Sequence, residues 1–177
     1  MANTWFISDT HFGHENIIKF LNDKGDRIRP FDTVSEMDER MVQNWNTVVR
    51  PQDRVYHLGD VAINRRCLPI LSRLNGKKVL IKGNHDIFPL KDYTPYFEDI
   101  RAYKVLPRHG VICSHIPVHP NQMQKRWVLN IHGHMHQNTL EDDRYVNICV
   151  EHTDYTPVDL DTILAACKYT ERNTYDQ

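Results

Sequence analysis

Three times in its first half the chain runs through a short apolar stretch that breaks into a loop headed by Asp or Asn, and this recurrence restricts the fold more than any other feature. Trp5 to Ser8 lead into Asp9, Arg54 to Leu58 into Gly59-Asp60, and Lys78 to Ile81 into Gly83-Asn84-His85. Apolar runs this short, closed by polar turn residues, predict strands rather than helices. Between the first two, Val34, Met37, Met41, Trp45 and Val48 recur at steps of three and four, the period of a helix with one buried face. Thr33 followed by Glu36 predicts a capping box at its start. Strand and helix in alternation predict parallel βαβ units with crossover helices on the sheet. In such sheets ligands lie beyond the carboxyl ends of the strands.

The second half has another character. Ile100 to Leu106, Val111 to Ser114, Trp127 to His132 and Tyr145 to Val150 read as strands, with Pro107 and Gly110 as turn residues, and predict a more antiparallel arrangement. A last helix is expected from Thr156 as cap and Pro157 in the first turn, through Leu160, Ile163, Leu164 and Cys167. The sum is a mixed α/β sandwich. No repeat, low-complexity tract or linker divides it, so one domain is expected over residues 1–177.

Five segments carry the chemistry, each placed just after an expected strand. Asp9-Thr10-His11 sets a carboxylate and an imidazole two residues apart, and Gly59-Asp60 adds a carboxylate behind a residue that permits close backbone approach. Gly83-Asn84-His85-Asp86 supplies an amide oxygen, an imidazole and a carboxylate, and Ser114-His115 another imidazole. His132-Gly133-His134-Met135-His136 puts three imidazoles within five residues; in extended geometry they would face one way. Each segment alone has an ordinary reading as a turn or a satisfied histidine. Together they hold more N and O donors than one cation uses, which points to two adjacent metal ions.

Composition agrees, since histidine is the outlier at eleven residues. The net charge of -1 gives no global field that would draw the chain to nucleic acid or an anionic membrane. Cys67, Cys113, Cys149 and Cys167 are widely spaced with no Cys-x-x-Cys pair, which argues against a zinc ribbon and a disulfide framework and predicts reduced thiols. With no signal-like start and no run near the roughly eighteen apolar residues of a membrane span, a cytoplasmic location is expected.

In order and rough spacing, Asp9-x-His11, Gly59-Asp60, Gly83-Asn84-His85-Asp86, His115 and Gly133-His134-x-His136 resemble the signature of calcineurin-like metallophosphoesterases. The wording Ile7-Ser8-Asp9-Thr10-His11-Phe12-Gly13-His14 is similar to the short single-domain members of bacteria and phages. The resemblance implies a four-layer αββα sandwich with mixed sheets and the metals at strand carboxyl ends. It implies one divalent ion on Asp9, His11 and His136, another on Asn84, His115 and His134, and Asp60 bridging them. Ions so bridged sit about 3.5–4 Å apart and bring a shared water's pKa toward neutrality, making hydroxide available for in-line attack at phosphorus. It further implies His85 as the catalytic acid at the leaving group, with Asp86 orienting its ring. The chain departs from the fuller family pattern after Asp60, where Val61-Ala62-Ile63 lacks a downstream acidic residue.

The remaining histidines sort by position. His57, inside a strand, reads as a satisfied core residue, and His132 as support for a ligand or a strand end. His14 is a candidate for substrate contact at the rim, while His109, His119 and His152 read as surface or loop residues. Of the basic pairs at 27 and 29, 65 and 66, 77 and 78, and 125 and 126, Arg27 and Arg29 are the candidates for clamping a substrate phosphate. The expected function is hydrolysis of a small nucleotide-like phosphodiester with manganese, or alternatively iron, zinc or nickel. A nuclease is the second reading, disfavoured by scattered basic clusters without interleaved aromatics. A non-catalytic interaction scaffold is the third.

Overall fold

The computed structural model describes residues 2–123 and 126–167, and in it two mixed sheets pack face to face. The first contains β1 (Thr4–Ile7), β2 (Arg54–His57), β3 (Lys77–Ile81) and β4 (Asp99–Arg101), and the second β5 (Tyr103–Leu106), β6 (Val111–Ser114), β7 (Leu129–His132) and β8 (Tyr145–Asn147). A short β9 (Val158–Asp159) closes the first sheet in the order β4-β3-β2-β1-β9, and the second runs β5-β6-β7-β8. Strands β1 to β3 are parallel, as expected for the first half; β4 joins them in the same direction, and only β9 is antiparallel.

Alternation along each strand divides the core. Ile7, Val55 and Leu80 face helix α1 (Val34–Val48) and the 3₁₀ segment Arg65–Arg73, while Phe6, Tyr56, Val79 and Ile81 meet Val111, Cys113, Leu129 and Ile131 of the second sheet. Helix α1 forms as its spacing predicts. Thr33 accepts a hydrogen bond from the Glu36 amide at 3.1 Å, and Glu36 reaches back to the Asp32 amide at 3.2 Å, one residue beyond the reciprocal bond of an ideal capping box. Met37, Met41 and Trp45 bury their side chains completely, the two methionines contributing about 1.5–3 kcal/mol each. After the short helix α2 (Leu90–Tyr93), the segment leading to α3 (Pro120–Met123) packs on the second sheet, where Val118 donates to Asn130 and accepts from the Tyr145 hydroxyl.

Three expectations need correction. The second sheet is mainly parallel: only β5 and β6 are antiparallel, while β6, β7 and β8 run the same way. Strand patterns do not encode direction, and the connections 115–128 and 133–144 have about the dozen residues a parallel crossover needs. The run Ile100 to Leu106 is two strands, because its hydrogen-bond partner changes from β3 to β6 at Ala102 while its apolar pattern continues. The last helix, α4 (Leu160–Ala166), starts later than expected, with Asp159 as cap accepting from the Thr162 amide at 3.0 Å. Pro157 instead precedes the edge strand β9, where a missing N–H is tolerated. No helix among the described residues is long and apolar enough to cross a membrane.

Candidate metal centre

The carboxyl ends of β1, β2, β3, β6, β7 and β8 meet where the two sheets join. Beyond β1 the backbone stays paired with the loop after β2, through Asp9 N–H to Gly59 O at 3.0 Å and His11 N–H to Asp60 O at 3.0 Å. Across the sheets, Ser8 bridges to Cys149 after β8, and Val150 N–H donates to Ser8 O at 3.2 Å. Seven non-glycine residues among those described have positive φ, and five are Asp9, His11, Asp60, His134 and His136. Left-handed turns at non-glycine residues are strained, and their concentration here is how strands that end in different planes aim their next side chains at one point.

Two glycines make that convergence possible. A Cβ at Gly133 would lie 2.0 Å from Ser8 Oγ and 2.3 Å from Asp9 Oδ2, and one at Gly59 would lie 2.5 Å from the Gly83 nitrogen. The Gly133 contact is what lets β7's loop close on Asp9, whose Oδ2 accepts from Ser8 Oγ at 2.5 Å and the His134 amide at 2.9 Å.

Two groups that could each hold a metal ion result, one of Asp9, His11 and His136, the other of Asp60, His115 and His134. Within the first, Asp9 Oδ1 lies 3.9 Å from His11 Nε2 and 3.8 Å from His136 Nε2. Asp60 Oδ2 belongs to both, 3.6 Å from His11 Nε2 and 3.5 Å from His115 Nε2. Asn84 Oδ1 stands 2.8 Å from His115 Nε2. All seven expected ligands therefore reach the centre.

Their polar atoms fit cations. Asp9 Oδ1 and both ring nitrogens of His11 are buried without a hydrogen-bond partner, an arrangement that costs free energy unless something charged sits among them. His115 donates Nδ1–H to the Leu58 carbonyl at 2.7 Å, so its Nε2 lone pair faces the oxygens of Asp60 and Asn84, acceptor against acceptors. A metal ion there would resolve that clash. Burial, reinforced by the Arg29 charge, holds the His11 imidazole well below its usual range, and burial and neighbouring His115 lower His134. Neutral imidazoles are the form that ligates.

Not every expected role survives. Asp86 does not orient the His85 ring: its buried carboxylate accepts from the amides of Asp60 at 2.9 Å, Gly83 at 2.8 Å and Val61 at 3.0 Å, clamping the two ligand loops together. Arg29 cannot clamp a substrate phosphate, because it is fully buried. Its guanidinium donates to the carbonyls of Asp9 at 2.6 Å and Thr10 at 3.0 Å and to Glu151 Oε1 at 2.8 Å. Arg27 is partly exposed, bonded to Phe31 O at 2.8 Å and paired with Asp32. The three imidazoles at the end of β7 do not face one way, since His134 and His136 are in left-handed turns; His132 is buried with Nδ1 2.9 Å from Gly133 O. Lys125 lies outside the described residues.

Other placements follow the sequence. His57 is a satisfied core residue: Gly59 N–H donates to its Nδ1 at 3.2 Å, and its Nε2–H donates to Thr10 Oγ1 at 2.9 Å, whose own proton goes to Val61 O. Its burial pushes its pKa down to about 3. His85 and His14 stand beside the first group, their rings 5.5 and 5.8 Å from that of His11. The four cysteines are unpaired, two of them buried.

Glu151 was not foreseen. It lies four residues beyond β8, as the expected ligands lie beyond the other central strands, and accepts from His136 Nδ1 at 2.9 Å while pairing with Arg29 at 2.7 Å. Burial would raise its pKa, but the His136 bond and the Arg29 charge hold it down to about 2. His136 in turn is raised against the effect of its burial by Glu151.

Among known proteins, the family model described as calcineurin-like phosphoesterase matches residues 2–169. An uncharacterized protein of Methanocaldococcus jannaschii is 37% identical over 175 residues, spanning 93% of this chain and 90% of that protein. The Gene 66 protein of Mycobacterium phage L5 is 31% identical over 121 residues, 66% of this chain and 52% of the phage protein. Among solved structures, a protein of unknown function from Aquifex aeolicus is similar at a TM-score of 0.73 and 30% identity, covering 94% of this chain and 100% of that one.

Proposed function

This chain belongs to the calcineurin-like phosphoesterase family, and on that premise we propose that this metal-dependent phosphoester hydrolase is a binuclear phosphodiesterase of small nucleotide-like molecules. One observation carries the two-ion reading: a single carboxylate oxygen of Asp60 lies 3.6 and 3.5 Å from an imidazole of each ligand group. Two divalent cations there would supply Lewis acidity toward the phosphoryl oxygens and bring the pKa of water toward neutrality. The mixed imidazole, carboxylate and amide donors favour manganese, with iron, zinc or nickel as alternatives.

The chain's own groups supply the rest. His85, exposed beside His11, is the proton donor to the leaving oxygen, a task worth roughly 10²–10⁴-fold. Its backbone N–H donates to Asp60 Oδ1 at 2.8 Å, which fixes the loop that carries it. The rim favours a diester over a dianionic monoester. Arg29, whose guanidinium lies against the backbone of Asp9 and Thr10, is committed to Glu151 and two carbonyls, while exposed Ile87 and Ile116 follow the ligand segments. Phe20, half exposed, packs edge-on to His14 at 5.9 Å, and the pair forms an aromatic shelf beside the first group for a base.

The test uses chelator-stripped protein with bis-p-nitrophenyl phosphate and p-nitrophenyl phosphate. Manganese-dependent cleavage is expected, faster on the diester. Preference for the monoester would overturn the phosphodiesterase reading, and inactivity with every divalent metal would raise the scaffold alternative. The shelf is tested by Phe20→Ala on two diesters sharing one leaving group, thymidine 5′-p-nitrophenyl phosphate and methyl p-nitrophenyl phosphate. Loss of about 1–3 kcal/mol of stacking should raise KM for the thymidine ester roughly 5- to 150-fold and leave the methyl ester unchanged. An equal effect on both would remove the shelf.

A further inference from the structure

We infer that Glu151, backed by Arg29, is a positioning residue that makes the two cation positions unequal, the one on Asp9, His11 and His136 binding its ion more tightly. This rests on the two-cation reading of the site. Glu151 Oε1 lies 2.9 Å from His136 Nδ1, which directs Nε2 toward Asp9 Oδ1. A carboxylate behind a ligating imidazole selects the tautomer, fixes the ring and raises its basicity. The same Oε1 takes the Arg29 Nε–H at 2.8 Å, and that guanidinium's other nitrogens hold the carbonyls of Asp9 and Thr10. One buried ion pair thus ties down His136 directly and the backbone that carries Asp9 and His11.

The second position is supported differently. His115 leans on a neutral carbonyl, that of Leu58, at 2.7 Å. His134 is held through its backbone amide by Asp9 Oδ2 rather than through its ring. Asn84, the remaining ligand, is exposed. One position therefore has a carboxylate-backed imidazole on a buried scaffold, and the other has not. The His152 ring reinforces the contrast, with Nε2 donating to the His136 carbonyl at 2.7 Å and pinning the turn that carries that ligand.

The experiment titrates manganese alone into metal-free protein by calorimetry, for the unaltered chain, Glu151→Ala and Glu151→Gln. Two steps of unequal affinity are expected for the unaltered chain. Glu151→Ala should weaken the tighter step by roughly 10- to 100-fold and leave the other within about twofold, while Glu151→Gln, which keeps an acceptor and the packing, should fall between. Equal weakening of both steps, or of neither, would overturn the inference. Should Glu151→Ala unfold because Arg29 loses its partner, Glu151→Gln carries the test. Nitrogen-correlated NMR of the imidazoles in metal-free protein at alkaline pH separates this idea from the two-ion reading. His136 should be the Nδ1–H tautomer in the unaltered chain and shift toward a mixture in Glu151→Ala, whether one ion binds or two. An unchanged tautomer would overturn the inference even if both ions bind.

Discussion

Asp60→Asn is expected to abolish hydrolysis and to lower the metal content of the isolated protein from two ions toward one or none. The substitution is nearly isosteric, so the fold should survive, and the loss follows from atom assignment. Asp60 Oδ1 accepts the His85 amide at 2.8 Å, and Oδ2 faces both ligand groups. In the variant, the amide oxygen keeps the His85 bond and the NH₂ turns toward the cations, placing donors where a shared anion is needed. A cation's stabilisation of developing charge is worth several kcal/mol, so turnover should fall by roughly three decades or more. Elemental analysis and a diesterase assay on the same preparation check this. Full activity with two metals retained would remove Asp60 from its bridging place.

His85→Ala should lower turnover by about 10²–10⁴-fold while metal content stays at the unaltered level. The two readouts separate because His85 acts on the site in two ways. Its backbone N–H holds Asp60, and alanine retains it; only the ring, 5.5 Å from that of His11, is lost. The loss should be largest for esters with poor leaving groups, which need protonation, and small for p-nitrophenyl esters, whose phenolate leaves without it. Uniform loss across leaving groups would assign the ring to phosphoryl binding instead. Loss of metal would make His85 a ligand.

How much of this was legible beforehand depends on the range of the interaction concerned. Asp9, His11, Asp60, Asn84, His115, His134 and His136 could be read as a set because each follows an apolar run by one to a few residues, and a strand's end is a local property. Helix α1 was legible for the same reason, its period and cap both lying within adjacent turns. Strand direction was not, since β6 and β7 would show the same alternation run either way. Nor was β9, whose two residues exist as a strand only because β1 offers an edge.

The functions of Arg29, Asp86 and Glu151 were hidden by distance. Arg29 meets Glu151 across 122 residues and Asp86 meets the Asp60 amide across 26, separations at which no pattern of spacing links one residue to another. Even so, Glu151 was within reach: Tyr145 to Val150 reads as a strand, and the loop after a strand is where the expected ligands stand. Which donors exist, and at which strand ends, can be read from residue type and local periodicity, both of which are written along the chain. Which donors come together, which carboxylate is taken up by backbone amides and which charge is buried are visible only in the folded chain, because they depend on left-handed turns and long-range pairing that bring separate strand ends to one point.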